Sequence, residues 1–281
     1  MIPAAFEYQR PSSVDEALRA ISNADGGVKV LAGGQSLLPL LKMRLASADT
    51  LVDIGRLTEL KALGETPEGG YEVGALVTYA ELLAATKLSW TAEAIERIGD
   101  VQVRNRGTVG GSIAHCDPAS DLPALGLALD YSVVLRSVRG ERTVPLDGFF
   151  KGPFQTAMEP DELIIKLRRG PLPPAASGAY RNLEQPASGY SLVGVAVVVA
   201  MSGGAVSHAR VALTGVGECP YRAKAVEAAL LGSDGSSAAV AAAAHAADGQ
   251  TVNSDIHADR EYRTHMAVVY TRRAIEGALG R

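Results

Sequence analysis

"KVLAGGQSLLPLLKMRL", residues 29–45, is the stretch on which the reading of this chain turns. Val28, Val30 and Leu31 form a short apolar run of strand character that ends on Gly33 and Gly34. Ser36 follows, then a helical run of leucines. Two residues without side chains at the end of a buried strand have two explanations. One is a tight turn, because glycine enters the left-handed region freely. The other is a ligand whose charged oxygens sit against bare backbone N–H groups, in the concavity that successive amides form.

The neighbouring sequence places this motif in a small parallel sheet. Phe6-Glu7-Tyr8 alternates like a short strand. In "SVDE" (13–16), Ser13 can cap a helix start and Glu16 can reach back to it, which predicts a helix to about Ser22. Thr50 to Ile54 is another strand, so the opening reads β-α-β-α-β. The next region differs. Tyr71 to Ala75, Tyr131 to Arg136, Glu141 to Pro145 and Asp161 to Arg168 read as strands, with helices at Thr78 to Glu81 (a second capping box) and Thr91 to Ile98. This half predicts an antiparallel sheet with helices at its edge.

"GPLPPAASG" (170–178) is the strongest breaker cluster in the chain. It predicts a first domain over 1–176, with subdomains of about 1–56 and 57–176, and a second domain over 177–281. In the second domain, two β-rich runs flank Ser202-Gly203-Gly204, a hairpin signal. Alanine-rich helices are expected over Arg222 to Leu231 and Ser236 to Ala247. The last helix, about Asp259 to Leu279, would place Tyr262, Met266, Val269 and Ile275 near one face. The fold class is therefore α+β.

The opening motif has a partner in "TVGGS" (108–112), which repeats its order of small polar, apolar, Gly-Gly and Ser. Both are read as loops after extended stretches. Ser36 and Ser112 each add a hydroxyl donor, so two such loops could grip one diphosphate from both sides. Other nucleotide motifs fit badly. "GGQSLLPL" has no lysine where a P-loop needs one. "GVGECP" (215–220) begins like a Rossmann fingerprint but has Pro220 at the third glycine, which makes it a strand-to-helix turn.

Together, "AGGQSLLPLLKMRL" and "RNRGTVGGSIAHCDPASDLPAL" resemble the medium, FAD-binding subunit of the molybdenum hydroxylases. That family includes carbon monoxide, xanthine, N-heterocycle and aldehyde dehydrogenases. The resemblance extends to the start "FEYQRPSSVDEAL" and the end "SDIHADREYRTHMAVVYTRRAI", hence to nearly the whole chain. It implies the FAD-binding fold of the vanillyl-alcohol oxidase type, two α/β subdomains, followed by a C-terminal domain with an antiparallel sheet and helices. It implies non-covalent FAD and electron transfer, with no catalytic nucleophile and no metal here. The molybdenum cofactor and two-iron clusters would lie in separate large and small subunits, in a dimer of heterotrimers. A free-standing FAD oxidoreductase of the same fold is the alternative.

The residues that the resemblance assigns to FAD are Lys29, Leu31, Ala32, Gly33, Gly34, Gln35, Ser36 and Leu37 around the first motif. Thr108, Gly110, Gly111, Ser112 and His115 come from the second, with Ile164 from the strand at 161–168. Asp121, in the "SDLP" end, matches an acidic residue that reaches flavin hydroxyls, and it could also cap the helix that follows. Arg181 matches a basic residue at the start of the C-terminal domain, and Tyr190 an aromatic against the isoalloxazine; either could instead be an ordinary strand or surface residue. Arg104 and Arg106 could steady a phosphate or face a partner. Two features depart from the pattern. Gln35 stands where carbon monoxide dehydrogenases usually have histidine, and no match exists for the covalent-flavin histidine of the vanillyl-alcohol oxidases.

Composition narrows the class. With 27 Lys+Arg against 31 Asp+Glu, the net charge of −4 offers no basic surface for nucleic acid. Cys116 and Cys219 cannot hold an iron–sulfur cluster by themselves, and two cysteines suggest a reducing, cytoplasmic setting. His115 beside Cys116 is short of the three or four ligands a metal needs, and Asp117 beside Pro118 reads as a turn residue. The start "MIPAAFEYQRPSS" has no signal-peptide core, and the run Leu192 to Met201 is about half a membrane span.

Overall fold

The computed structural model describes residues 2–23, 26–248 and 252–281. Strand β1 (Glu7–Gln9), helix α1 (Val14–Ser22), β2 (Val28–Leu31), α2 (Leu37–Lys42) and β3 (Thr50–Asp53) form the first unit. Its sheet is parallel, in the order β1-β3-β2. Ser13 caps α1 by accepting from the Glu16 amide. Glu16 reaches back one residue further than expected, to the Ser12 amide at 2.7 Å. Val14, Ala17, Leu18 and Ile21 bury one face of α1 against Val52 and Ile54 of the sheet end.

The second unit contains β4 (Leu63–Glu65), β5 (Tyr71–Gly74), α3 (Tyr79–Ala85), α4 (Ser89–Glu96), α5 (Val101–Arg104), α6 (Val109–His115) and α7 (Asp121–Ala128). It continues with β6 (Ser132–Ser137), β7 (Gly140–Pro145), β8 (Phe150–Gly152), β9 (Gln155–Thr156) and β10 (Leu163–Arg169). Five of its strands make an antiparallel sheet, β4-β5-β10-β6-β7. Thr78 and Glu81 form the reciprocal capping box that the spacing predicts.

The last unit is a sheet of β11 (Ser177–Glu184), β12 (Ser191–Ser202), β13 (Ala205–Thr214) and β14 (Tyr221–Arg222). Helices α8 (Lys224–Leu230), α9 (Ser237–Ala244) and α10 (Arg260–Ala278) pack on one face. Alternation along β12 sends Val193, Val195, Val197 and Val199 toward these helices. Ala196 and Val198 face the other way and join the core of the second unit. Helix α7 lies between the two: every one of its residues is buried, as expected of a helix that is apolar all round. One continuous core therefore spans both sides of the breaker at 170–178.

Two expectations need correction here. The buried stripe of α10 runs through Arg263, Ala267, Thr271, Ala274 and Ala278. Of the residues placed on one face, Ile275 is buried, but Tyr262 is exposed and lies outside the stripe. Small residues let α10 lie close on the sheet, and Arg263 is buried because its guanidinium satisfies the Leu192 and Gly215 carbonyls, each at 2.7 Å. Nor is the second Gly-Gly a loop after an extended stretch. It is the first turn of α6, and short helix α5 precedes it.

Candidate functional site

The end of β2 delivers Ala32 to Ser36 into a bend with Gly34 at φ 76°, where only glycine is unstrained. The amides of Gly33, Gly34, Gln35 and Ser36 donate to no group among the described residues. Ser36 occupies the cap position of α2 without making a side-chain cap bond, so its hydroxyl is also uncommitted. Four successive free N–H groups followed by a free hydroxyl are an anion cradle.

The two glycine motifs touch each other. A Cβ on Gly33 would lie 2.7 Å from the Arg106 carbonyl carbon and closer still to its oxygen. A Cβ on Gly110 would meet that of Ala75 at 2.6 Å. Both are glycine because backbone from another element occupies the space. A Cβ on Gly111 would meet only the Thr108 hydroxyl at 2.7 Å and would stand 4.0 Å from the Ala32 Cβ. Gly111 is thus the glycine of this pair that faces the first motif. The start of α6 is no second cradle: the amides of Val109 and Gly110 donate to the Val77 and Ala75 carbonyls, and that of Gly111 to Thr108 Oγ1. Ser112 Oγ lies 3.0 Å from Ser120 Oγ.

Beyond α6 the site becomes aromatic and acidic. The His115 ring tilts against Phe154 at 5.1 Å. Burial holds its imidazole below the usual value, with Asp117 pulling the other way. Tyr190, just before β12, is 49% exposed, and partial burial together with the Asp117 and Asp121 charges raises its phenol. Tyr79 is pushed up to about 12, chiefly by burial, with its hydroxyl on Ser112. These residues come from two helices and two turns, and no spacing in the sequence joins them.

Asp121 is the first residue of α7, and Ser120 occupies the cap position, so Asp121 does not cap. Its Oδ1 accepts from Tyr180 and, at 2.5 Å, from Ser191 Oγ. Burial pushes its carboxyl up to about 6, against those two donors. It ties the C-terminal sheet to the first domain. Tyr180 and Ser191 are its partners, and no motif in the sequence points to them.

Three other assignments fall elsewhere. Arg181 alternates with Tyr180 along β11, bonds the Tyr180 carbonyl at 2.8 Å and lies over Gly277 of α10, on the sheet face away from this site. The Ile164 side chain is buried in the core. Arg104 donates to the Ile98 and Gly99 carbonyls, which fixes it to its own turn. Lys29 is exposed without an ion-pair partner among the described residues; Leu31 and Leu37 pack beneath the first motif. Asp117 accepts from the Ala119 amide at 2.9 Å, the turn role expected of it. Gly215 has φ 79°, and a Cβ there would stand 2.6 Å from the Leu192 carbonyl oxygen, so "GVGECP" is a structural turn. Cys116 is buried, its thiol pushed up to about 12 mainly by burial, which leaves no reactive thiolate. No cluster of metal ligands occurs among the described residues.

Comparison with known proteins gives the family. Residues 4–169 match the FAD binding domain in molybdopterin dehydrogenase, and residues 178–278 match the CO dehydrogenase flavoprotein C-terminal domain. The carbon monoxide dehydrogenase medium chain of Hydrogenophaga pseudoflava is 40% identical over 100% of this chain and 99% of its own. The glyceraldehyde dehydrogenase medium chain of Sulfolobus acidocaldarius is 38% identical over 83% of each. Among solved structures, the carbon monoxide dehydrogenase of Hydrogenophaga pseudoflava that lacks the Mo-pyranopterin moiety superposes with TM-score 0.96 at 41% identity, over 100% of this chain and 99% of that one. Quinoline 2-oxidoreductase from Pseudomonas putida 86 gives 0.91 at 32%, with the same coverage.

Proposed function

The chain belongs to the family of FAD-binding medium subunits of the molybdenum hydroxylases, and from that premise we propose how its residues hold the flavin and what surrounds it. It is an oxidoreductase subunit; the molybdenum and iron–sulfur cofactors belong to large and small partner subunits. When bound, FAD supplies the redox chemistry, accepting electrons from the iron–sulfur side and passing them to an external acceptor.

The observation that carries the residue assignment is the run of free amides from Gly33 to Ser36. They and the Ser36 hydroxyl bind the diphosphate, with exposed Lys29 supplying positive charge. Ala32, Thr108, Gly110 and Gly111 shape the facing wall: Gly111 keeps it flat, while Thr108 and Gly110 hold α6 in place. Ser112, His115 and Tyr190 line the path toward the ring. Asp121 acts from behind, holding the C-terminal sheet so that Tyr190 stands at the cleft. Gln35 flanks the cradle, and its amide weakly bonds the Gly33 carbonyl at 3.4 Å. We assign 1–176 to the FAD domain and 177–281 to the C-terminal domain, and we place the subunit in a dimer of heterotrimers in the cytoplasm. No helix among the described residues is long and apolar enough to cross a membrane.

FAD and riboflavin titrations of the purified chain test the assignment. If the amides hold the diphosphate, riboflavin binds at least about 100-fold more weakly, because two charge-assisted hydrogen bonds of about 1.5–3 kcal/mol each are lost. Equal affinities would remove the basis for the cradle.

A further inference from the structure

On the side of α6 away from the first glycine motif, the second unit forms a partly open pocket of about 210 Å³. Its walls are apolar, with Val73, Leu82, Ile95, Ile113, Leu125 and Leu167 among them. Val109 and Ile113, one turn apart on α6, present their buried face to it. A dry apolar cavity of about 150 Å³ is enough to hold benzene, so this one has room for a ring and a small substituent.

One side of the cavity is cationic. Its charged lining residues are Arg169, Lys87 and Glu65, a net positive set. Glu65 is already paired with Lys87 at 2.8 Å, and both are well exposed. Arg169 has no ion-pair partner among the described residues. Its guanidinium carbon lies 5.7 Å from the Tyr71 ring centroid and 5.9 Å from that of Tyr131, whose hydroxyl the side chain also bonds. One terminal nitrogen donates to the Gly170 carbonyl at 2.9 Å. Its Nε is buried and has no acceptor. A permanent cation at the wall of an apolar pocket, with no carboxylate paired to it among the described residues, favours an anionic partner.

We propose that this cavity is a binding site for a small carboxylic acid carrying an aromatic or compact branched group. The apolar part fills the space above Ile113, and the carboxylate pairs with the Arg169 guanidinium beside the two tyrosines. The site is separate from the flavin cleft, because α6 stands between them.

The test uses the full-length chain loaded with FAD and ligand-observed NMR titration with three isosteric probes: 4-methylbenzoate, 4-methylbenzamide and 4-methylbenzylammonium. A ligand of this size in such a cavity binds in the range of about 1 mM or tighter. The expected order is benzoate first, benzamide about tenfold weaker, and the ammonium probe weakest. Arg169→Met, which keeps length but removes the charge and Nε–H, brings benzoate down to the level of benzamide. Leu82→Phe fills the cavity and weakens all three probes; Leu88→Phe does the same from a second position if the first variant is unstable. The proposal is overturned if benzoate fails to bind at about 10 mM, if the three probes bind alike, if the preference survives in Arg169→Met, or if excess FAD displaces benzoate.

Discussion

Gly33→Ala adds one methyl group at the point where the two glycine motifs meet. The new carbon would stand 2.7 Å from the Arg106 carbonyl carbon, against an optimal separation of about 3.5–4.0 Å between carbon atoms. Backbone borders both sides, so no side chain can swing aside, and the strand must part from the Arg106 turn by about 1 Å. Overpacking of this kind costs about 3 kcal/mol, the upper end of the ordinary range, because the neighbour is rigid. For a chain of this size that lowers the melting temperature by roughly 6–12 °C. The same shift carries the Gly33 to Ser36 amides away from the phosphates. Loss of two charge-assisted bonds then weakens FAD by at least about 100-fold. Thermal unfolding of the apoprotein and FAD fluorescence titration read the two effects separately. An apoprotein that melts within about 1 °C of wild type would refute the backbone contact, and with it the reason given for the glycine.

Gly111→Ala should separate ligand from fold: its Cβ meets only the cap hydroxyl, so stability falls by about 1 kcal/mol while FAD titration shows clear weakening. Unchanged FAD affinity would remove Gly111 from the site. Asp121→Asn tests the interdomain tie by pH. The carboxyl is raised from 3.8 to about 6 in the fold, so its contribution is present at low pH and is lost as pH rises through about 6. Denaturant midpoints from pH 4 to 7 should fall less steeply in the variant than in wild type; parallel curves would show that Asp121 ionises freely. Tyr190→Ala should leave the melting temperature within about 1 °C, since the side chain is half exposed, yet shift the visible spectrum of bound flavin. An unaltered spectrum would place the ring elsewhere. Finally, stopped-flow mixing of the FAD-loaded chain with carbon monoxide, aldehydes or N-heterocycles should leave the flavin oxidised unless the partner subunits are added. Rapid bleaching by any of them alone would favour a free-standing oxidoreductase.

The sequence by itself determined the elements and the family. Capping residues, period-two runs and glycine turns are local signals, and they were enough to place the opening sheet, the capping box at Thr78 and the hairpin at Ser202 to Gly204. The pair of glycine motifs pointed to a diphosphate, and the family resemblance they carry implied FAD. Only the tertiary structure decided what each glycine is for. Gly33 and Gly110 make room for backbone from elsewhere in the chain, while Gly111 leaves a wall flat, and a spacing cannot distinguish these roles. It also decided that Asp121 binds Tyr180 and Ser191 rather than capping a helix. Strand alternation shows that one of Tyr180 and Arg181 must face away, but not which. The packing of small α10 residues against β11 settles it, turning Arg181 toward Gly277 and Tyr180 toward the first domain. Such choices depend on which surfaces meet across the chain, and that information appears only once the sheets have packed.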